Sequence, residues 1–256
     1  MDFLRKDLSR SSLVRLLGDW APVEAQASRQ DIAQRLSQWL GVSDAITLHA
    51  AHQSIRPVAA GKASRAGQAG QTRALAEECQ RVRATLVKAI RASGAAAPAR
   101  NRHDRSLLPP TDAAPEADAG FAPYQQRYLE QQRQMALRIE ALRGQVRHAV
   151  AASPRLVPLA AMDAVLERMF GAREQQLMGT VPVVLERRFE QLRTAHELER
   201  AAAQQPDDPA AWRQPGGWLH RFGQELEASL LAEMEVRLQP VTGLMEALNN
   251  EVEKHA

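Results

Sequence analysis

Apolar side chains near the end of the chain recur at alternating steps of four and three residues: Met234, Leu238, Val241, Met245, Leu248 and Val252. Because a helix turns by about 100° per residue, this spacing places all six on one narrow stripe. A stripe of that width needs another helix to cover it. We therefore expect these residues to form an interaction seam, either within the core of the chain or with a partner helix.

Long helices are predicted from Tyr124 onward. The first has a heptad pattern with one polar position, Gln132, among apolar ones: Tyr128, Met135, Ile139, Leu142, Val146 and Ala149. After a break at Ser153 and Pro154, the stripe resumes with Leu159, Met162, Leu166 and Met169. A further helix is expected to begin at Thr180, because Pro182 suits a first turn. The last is expected to begin near Trp218 and to be kinked or divided by Pro240.

The N-terminal part is predicted to form a small helical module, which covers residues 1–93. Serine residues can cap its short helices, and Trp39 and Ile46 are the expected packing anchors. Residues 57–71 contain three glycines and are expected to be a flexible connection. Thr72 then caps a helix with one apolar face, formed by Leu75, Cys79, Val82, Leu86 and Ile90.

These elements predict an all-α fold with three parts. The helical module of residues 1–93 is followed by an Ala/Pro-rich linker at 94–123 and by a helical bundle or coiled coil at 124–256. The linker holds five of the fourteen prolines and too few apolar residues to offset its ordering entropy, so we expect it to be disordered. No run of residues shows the alternation of apolar and polar side chains that is typical of a strand.

A cytoplasmic location is expected. No segment contains the roughly 20 consecutive apolar residues that span a bilayer. Arg15 and Asp19 interrupt the apolar cluster near the N-terminus, which therefore does not resemble a secretion signal. A single cysteine, Cys79, agrees with a reducing compartment.

Charge is distributed unevenly, although the net charge is only +3. Residues 56–105 contain eleven Lys or Arg against three acidic residues, and residues 225–256 contain seven Glu against two basic residues. The basic region could bind the phosphates of a nucleic acid without sequence specificity, or it could meet the acidic C-terminal helix. The residues expected to face an anion are Arg81, Arg83, Lys88 and Arg91. Because the region has no aromatic residue to stack on bases, nucleic acid is the less favoured alternative.

Catalytic and metal-binding signatures are not found in the sequence. His49 and His52 share a helix face, but a catalytic zinc needs a third protein ligand, and no matching cluster follows. The pair Gly61 and Lys62 lacks the first glycine of a phosphate-binding loop. Cys79 lies on an apolar helix face, where a thiol behaves as a small hydrophobic group. We therefore expect a protein that is not an enzyme and needs no metal or cofactor.

Two segments resemble a proteobacterial family known only as a domain of unknown function: RLSQWLGVSDAITL at 35–48 and AEMEVRLQPVTGLMEAL at 232–248. The matching positions are Trp39, Asp44, Ala45, Ile46, Gln239, Pro240 and Val241, whereas Val42 stands where that family has a second aromatic residue. The resemblance covers most of the chain outside 95–123 and implies no catalytic residues. It implies a cytoplasmic accessory of an envelope assembly, since members are expected to be encoded near proton channels of the stator or Tol/Exb type and near peptidoglycan-binding proteins.

The function predicted from the sequence is that of a helical interaction or accessory protein. Its partner would be another protein or a second copy of the chain. Sequence-nonspecific binding of nucleic acid through residues 56–105 is the alternative.

Overall fold

The computed structural model describes residues 11–20, 42–54, 65–95, 120–204 and 206–254. All the regular elements in these ranges are helical, so the predicted all-α fold is confirmed. The α-helices are α1 (Ser12–Trp20), α2 (Val42–Ser54), α3 (Arg65–Ala95), α4 (Ala122–Ala151), α5 (Val157–Met178), α6 (Val181–Ala203) and α7 (Trp218–Glu253), and a 3-10 turn covers Ala211–Arg213. None of these helices is long and apolar enough to cross a bilayer.

Most helix boundaries agree with the capping and helix-breaking residues predicted from the sequence. Helix α6 begins directly after Thr180, with Pro182 in its first turn, although the Thr180 side chain makes no capping hydrogen bond. The helix ends at Ala203, and the next residue, Gln204, has a left-handed φ of 53°. In the following loop, a Cβ on Gly217 would lie 2.3 Å from the carbonyl oxygens of Ala211 and Trp212, so only glycine fits there.

One predicted interruption is wrong, and a second is wrong in part. Helix α3 begins at Arg65 and so includes the second half of the connection expected at 57–71, whose first residues lie outside the described ranges. A glycine in a helix costs only about 1 kcal/mol relative to alanine, so Gly67 and Gly70 do not prevent helix formation. Helix α7 is continuous through Pro240, so the predicted division is wrong, whereas a kink at this proline stays a prediction. One missing backbone hydrogen bond can be tolerated in a helix with a packed apolar face.

The chain forms two compact units, each built from three segments. Unit 1 comprises Met1–Ala21, Leu86–Met135 and Thr180–Met234, and unit 2 comprises Pro22–Thr85, Ala136–Gly179 and Glu235–Ala256. The division into parts at 1–93, 94–123 and 124–256 stays a prediction, and residues 96–119 of the expected linker lie outside the described ranges.

The core of unit 1 is built around a cluster of aromatic rings. Phe189 of α6 lies 5.0 Å from Phe222 and 5.2 Å from Trp218 of α7, both edge to face, as measured between ring centroids. Tyr124 of α4 contacts Phe222 at 5.4 Å in the same geometry, and Phe121 completes the group at 5.9 Å from Phe189. Aromatic pairs in this arrangement contribute beyond the area that they bury. Four of the five rings lie on three different helices, so the cluster joins α4, α6 and α7.

The core of unit 2 is mainly aliphatic. Helix α2 packs against α5. The buried residues include Ile139, Leu142 and Val146 of α4, Val165 of α5, and Leu238, Val241, Met245 and Leu248 of α7. Their spacing agrees with the stripes seen in the sequence. The heptad of α4, including Gln132, is buried at every predicted position.

Candidate functional site

The C-terminal stripe is buried in this structure. Five of its six residues expose 7% of their surface or less, and Val252 is half-buried. The chain itself therefore covers the stripe, as expected for a core. A role for these residues in binding a partner stays a prediction.

Of the two residues expected to anchor packing in the N-terminal part, the structure describes only one. Trp39 lies outside the described residues. Ile46 exposes 63% of its surface, so it does not anchor packing in this structure, and that prediction is wrong. Among the α2 side chains that the structure describes, the half-buried ones are Asp44 and Leu48, and a residue two positions from each lies about 200° away around the helix axis. Ile46 therefore points away from the side of α2 that is covered.

Three of the four basic residues expected to face an anion lie beside carboxylates of the chain. Arg83 donates from Nη2 to Oε1 of Glu235 at 2.7 Å in unit 2, and Arg91 lies 3.7 Å from Glu227 in unit 1. Arg81 pairs with Glu78 one turn earlier on α3. Lys88 is exposed and forms no ion pair with the part of the chain that is described. The basic helix α3 thus meets the acidic helix α7, the alternative that the sequence left open.

A buried polar cluster in unit 1 surrounds Glu233, which is fully buried on α7. The Tyr128 hydroxyl donates to Oε2 of Glu233 at 2.9 Å, and Nε2 of Gln132 donates to the same oxygen at 2.8 Å. The sequence marked Gln132 as polar within an apolar stripe but did not identify its acceptor. Buried polar groups of this kind fix one pairing of two helices, because other registers would leave them without hydrogen bonds.

A four-charge cluster in unit 2 joins α4 to α5. Arg143 donates from Nε and Nη2 to Asp163, and Arg147 donates from Nε to Asp163 at 2.7 Å and from Nη2 to Glu167 at 2.6 Å. Burial alone would lower the pKa of Arg147, but these hydrogen bonds and the negative charges of Asp163 and Glu167 together outweigh burial and raise that pKa above its ordinary value. The cluster is balanced, with two positive and two negative groups, so it positions α5 without offering an open site for a charged ligand.

A groove of about 290 Å³ lies between α3 and α7 of unit 2. Its lining includes Cys79, Leu238 and Met245, with Arg83 and Glu235 at its polar edge. Burial, together with the nearby charge of Glu78, raises the pKa of the Cys79 thiol. A raised pKa leaves less of the reactive thiolate at neutral pH, so Cys79 is poorly suited to nucleophilic chemistry.

Of the two histidines considered as metal ligands, the structure describes the side chain of one. The ring of His49 is exposed and lies 2.9 Å from Nε2 of Gln53, and the side chain of His52 is outside the described set. Elsewhere in the described ranges, no three His, Cys, Asp or Glu side chains come together as metal ligands.

The apolar stripe predicted for α5 is less covered than the sequence led us to expect. The stripe of Leu159, Met162, Leu166 and Met169 was expected to be covered, but Leu159 and Leu166 expose 38% and 37% of their surface. The residues of α5 that are buried are Ala160, Asp163 and Val165. The ion pairs orient Asp163 toward α4. Leu159 and Leu166 lie about 40° and 60° from Asp163 around the helix axis, so they flank this contact and stay partly exposed.

We define the α5 apolar face as Leu159, Met162, Leu166, Phe170 and Leu177. The two side chains at positions 162 and 170 are half-buried, and Leu177 exposes 50% of its surface. Successive members lie three, four, four and seven residues apart, so all five share one side of the helix. A row of large apolar side chains on one exposed helix face is typical of a surface that binds another helix.

Comparison with known proteins gives one match. No curated protein matches the chain significantly, and no solved structure does. Residues 3–250 match the model of a family described as “Protein of unknown function (DUF3348)”. The match confirms the resemblance to a domain of unknown function and also includes residues 95–123, which that resemblance left out. The chain therefore belongs to the DUF3348 family.

Proposed function

We propose that this protein is a non-enzymatic interaction protein that binds a helix through the α5 apolar face. The observation that carries the proposal is the exposure of Leu159, Leu166 and Leu177 along one side of a single helix. Each exposed leucine by itself would be ordinary, since much of any protein surface is apolar. Their alignment at helical spacing, next to two further large apolar side chains, is the feature that a partner helix would bury.

The surroundings of the face support this role. The Arg143 and Arg147 pairs with Asp163 and Glu167 fix α5 against α4, so the face is held on a rigid element. A preorganised face binds with less loss of conformational entropy than a mobile one. The family resemblance suggests the setting, a cytoplasmic accessory to an envelope assembly containing a proton channel or a peptidoglycan-binding protein.

Site-specific photo-crosslinking in the native cell tests the proposal. A photoreactive amino acid is introduced at position 166 and, in a matched control, at position 137, because Leu137 is an exposed leucine of α4 outside the face. We expect a discrete protein adduct from position 166 and none from 137. Equal adducts from both positions, or no adduct from 166, would remove the proposal.

A second variant separates binding from folding. Leu166→Glu introduces a charge into the face but retains a residue with high helix propensity, so helicity should be unchanged by circular dichroism. The same change at Leu137 is the control. The adduct, now formed from a photoreactive group at position 170, should disappear only with Leu166→Glu. Its survival in that variant would show that the face is not the binding surface.

A further inference from the structure

We infer that the helix bound by the α5 apolar face is α5 of a second copy of this chain, in antiparallel orientation. The inference rests on the proposed function and names its partner. It follows from the symmetry of the face, from the balance of charge around it and from its size.

Four of the five apolar positions of the face are symmetric about Arg168. Leu159, Leu166, Phe170 and Leu177 are separated by seven, four and seven residues, a spacing that is unchanged when the helix direction is reversed. A two-fold axis at the level of residue 168 therefore places Leu159 opposite the second copy's residue 177. The same axis places Leu166 opposite residue 170. At these four positions, large apolar side chains thus meet large apolar side chains, and each pair occurs twice, as an isologous interface requires.

On one flank of the face, the side chains are compatible with this pairing. Met162 lies at nearly the same level as Arg173 of the opposite helix, and both side chains are half-buried in the isolated chain. The methylene groups of an arginine pack on apolar surface while the guanidinium remains near water. Arg173 can therefore cover Met162 without the burial of an unpaired charge.

Charge around the face favours a second copy over a strongly charged partner. Helix α5 carries Asp163, Glu167 and Glu174 against Arg168 and Arg173. The first two acids are neutralised by arginines of α4, so no uncompensated block of one sign flanks the face. Nucleic acids and anionic membranes would select a flank rich in Lys and Arg. The pairing brings Glu174 near Asp163 of the second copy, whose charge is neutralised by Arg143 and Arg147. Two copies of α5 can therefore approach without strong repulsion.

The size of the face predicts a weak dimer. Helix α5 has 22 residues and is therefore about 33 Å long. A strip about 10 Å wide along that length buries at most roughly 350 Å² per chain, since α2 also packs against α5, and this is below the roughly 800 Å² per partner of standard stable interfaces. The dimer should accordingly dissociate on dilution, with a Kd on the order of 10 μM or weaker.

Disulfide trapping tests the orientation. In a Cys79→Ser background, two proteins distinguishable by mass carry Leu159→Cys and Leu177→Cys. In the antiparallel dimer these positions face each other across chains, whereas two copies of residue 159 are about 27 Å apart along the axis. Disulfides need Cα atoms within about 7 Å. Under mild oxidation with copper phenanthroline, we expect crosslinked dimers from the mixture and essentially none from either protein alone.

The possible outcomes separate this inference from the proposed function. Crosslinking of each protein with itself would indicate parallel pairing, and no crosslinking in any sample would also overturn the inference. Sedimentation of the native chain provides an independent measurement that needs no cysteine variant. A single monomeric species up to 500 μM, combined with an in-cell adduct from position 166 to a different protein, would refute the dimer and retain the helix-binding function.

Discussion

Substitution of Asp163 by asparagine is the sharpest test of how α5 is positioned. The Asp163 side chain is only 9% exposed and accepts hydrogen bonds from both Arg143 and Arg147, whose side chains are 14% and 21% exposed. The variant removes one of two negative charges, so the partly buried cluster changes from neutral to a net charge of +1. Glu167 remains as the only carboxylate for two guanidinium groups.

The expected cost follows from this geometry. Loss of one partner from a fully buried ion pair costs about 3–5 kcal/mol, and a hydrogen bond to a charged group contributes about 1.5–3 kcal/mol. Because the guanidinium groups retain some solvent contact and an asparagine oxygen can still accept one hydrogen bond, we expect a loss of about 2–3 kcal/mol. That loss corresponds to an increase of roughly 30- to 150-fold in the population of opened α5.

Hydrogen exchange of the α5 amides is the appropriate assay, because a chain with two compact units need not unfold in one step. Glu140→Gln, at an exposed position of α4, is the control for loss of a negative charge. The double variant Arg143→Met with Asp163→Leu removes both partners and should recover most of the stability. If Asp163→Asn increases exchange no more than Glu140→Gln does, the cluster does not position α5.

Three further predictions concern buried or perturbed side chains. Tyr128→Phe should destabilise unit 1 by about 1.5–2 kcal/mol, because Glu233 loses a hydrogen bond. We expect faster hydrogen exchange of the nearby α4 amides, and unchanged exchange would contradict this prediction. The hydrogen bond from Trp212 lowers the pKa of Asp207 in the folded protein. The stability that this carboxylate contributes is therefore fully present above the ordinary pKa of an aspartate, and it is lost as the pH falls through the lowered pKa of the folded state. Trp212→Phe should raise that pKa in an NMR titration, and an unchanged curve would exclude this cause. Alkylation of Cys79 by iodoacetamide at pH 7 should be severalfold slower than that of glutathione, since burial raises the thiol pKa, and an equal rate would contradict this.

The sequence was sufficient to predict the buried stripes of α4 and α7. Residues such as Val146 and Leu238 recur at the helical period, and packing follows when each stripe is covered by another helix. The same argument identified the stripe of α5 but not its exposure. Periodicity shows that a helix has an apolar side, whereas the neighbouring helices decide whether that side is covered. For α5, the ion pairs turn Asp163 toward α4, and the leucines beside it stay partly exposed.

Interactions between distant residues could not be predicted from spacing. Gln132 was recognisable as a polar residue in an apolar stripe, but its acceptor, Glu233, lies 101 residues later and fits the polar side of its own helix equally well. Arg143 and Asp163 are only 20 residues apart, yet their contact depends on the turn between α4 and α5. Such pairs specify which helix faces meet, and that information is not contained in the pattern of one helix.

The distribution of charge explains why the basic helix is a weaker candidate surface than α5. Arg83 and Arg91 both lie beside glutamates of α7, in unit 2 and unit 1 respectively. Pairs with this much exposure each contribute at most about 1 kcal/mol, so their main effect is on which helices become neighbours. An anionic ligand on α3 would have to compete with these carboxylates for the same guanidinium groups. The α5 apolar face has no such competitor among its described neighbours, and burial of its leucines by a second helix would remove apolar surface from water without breaking an existing ion pair.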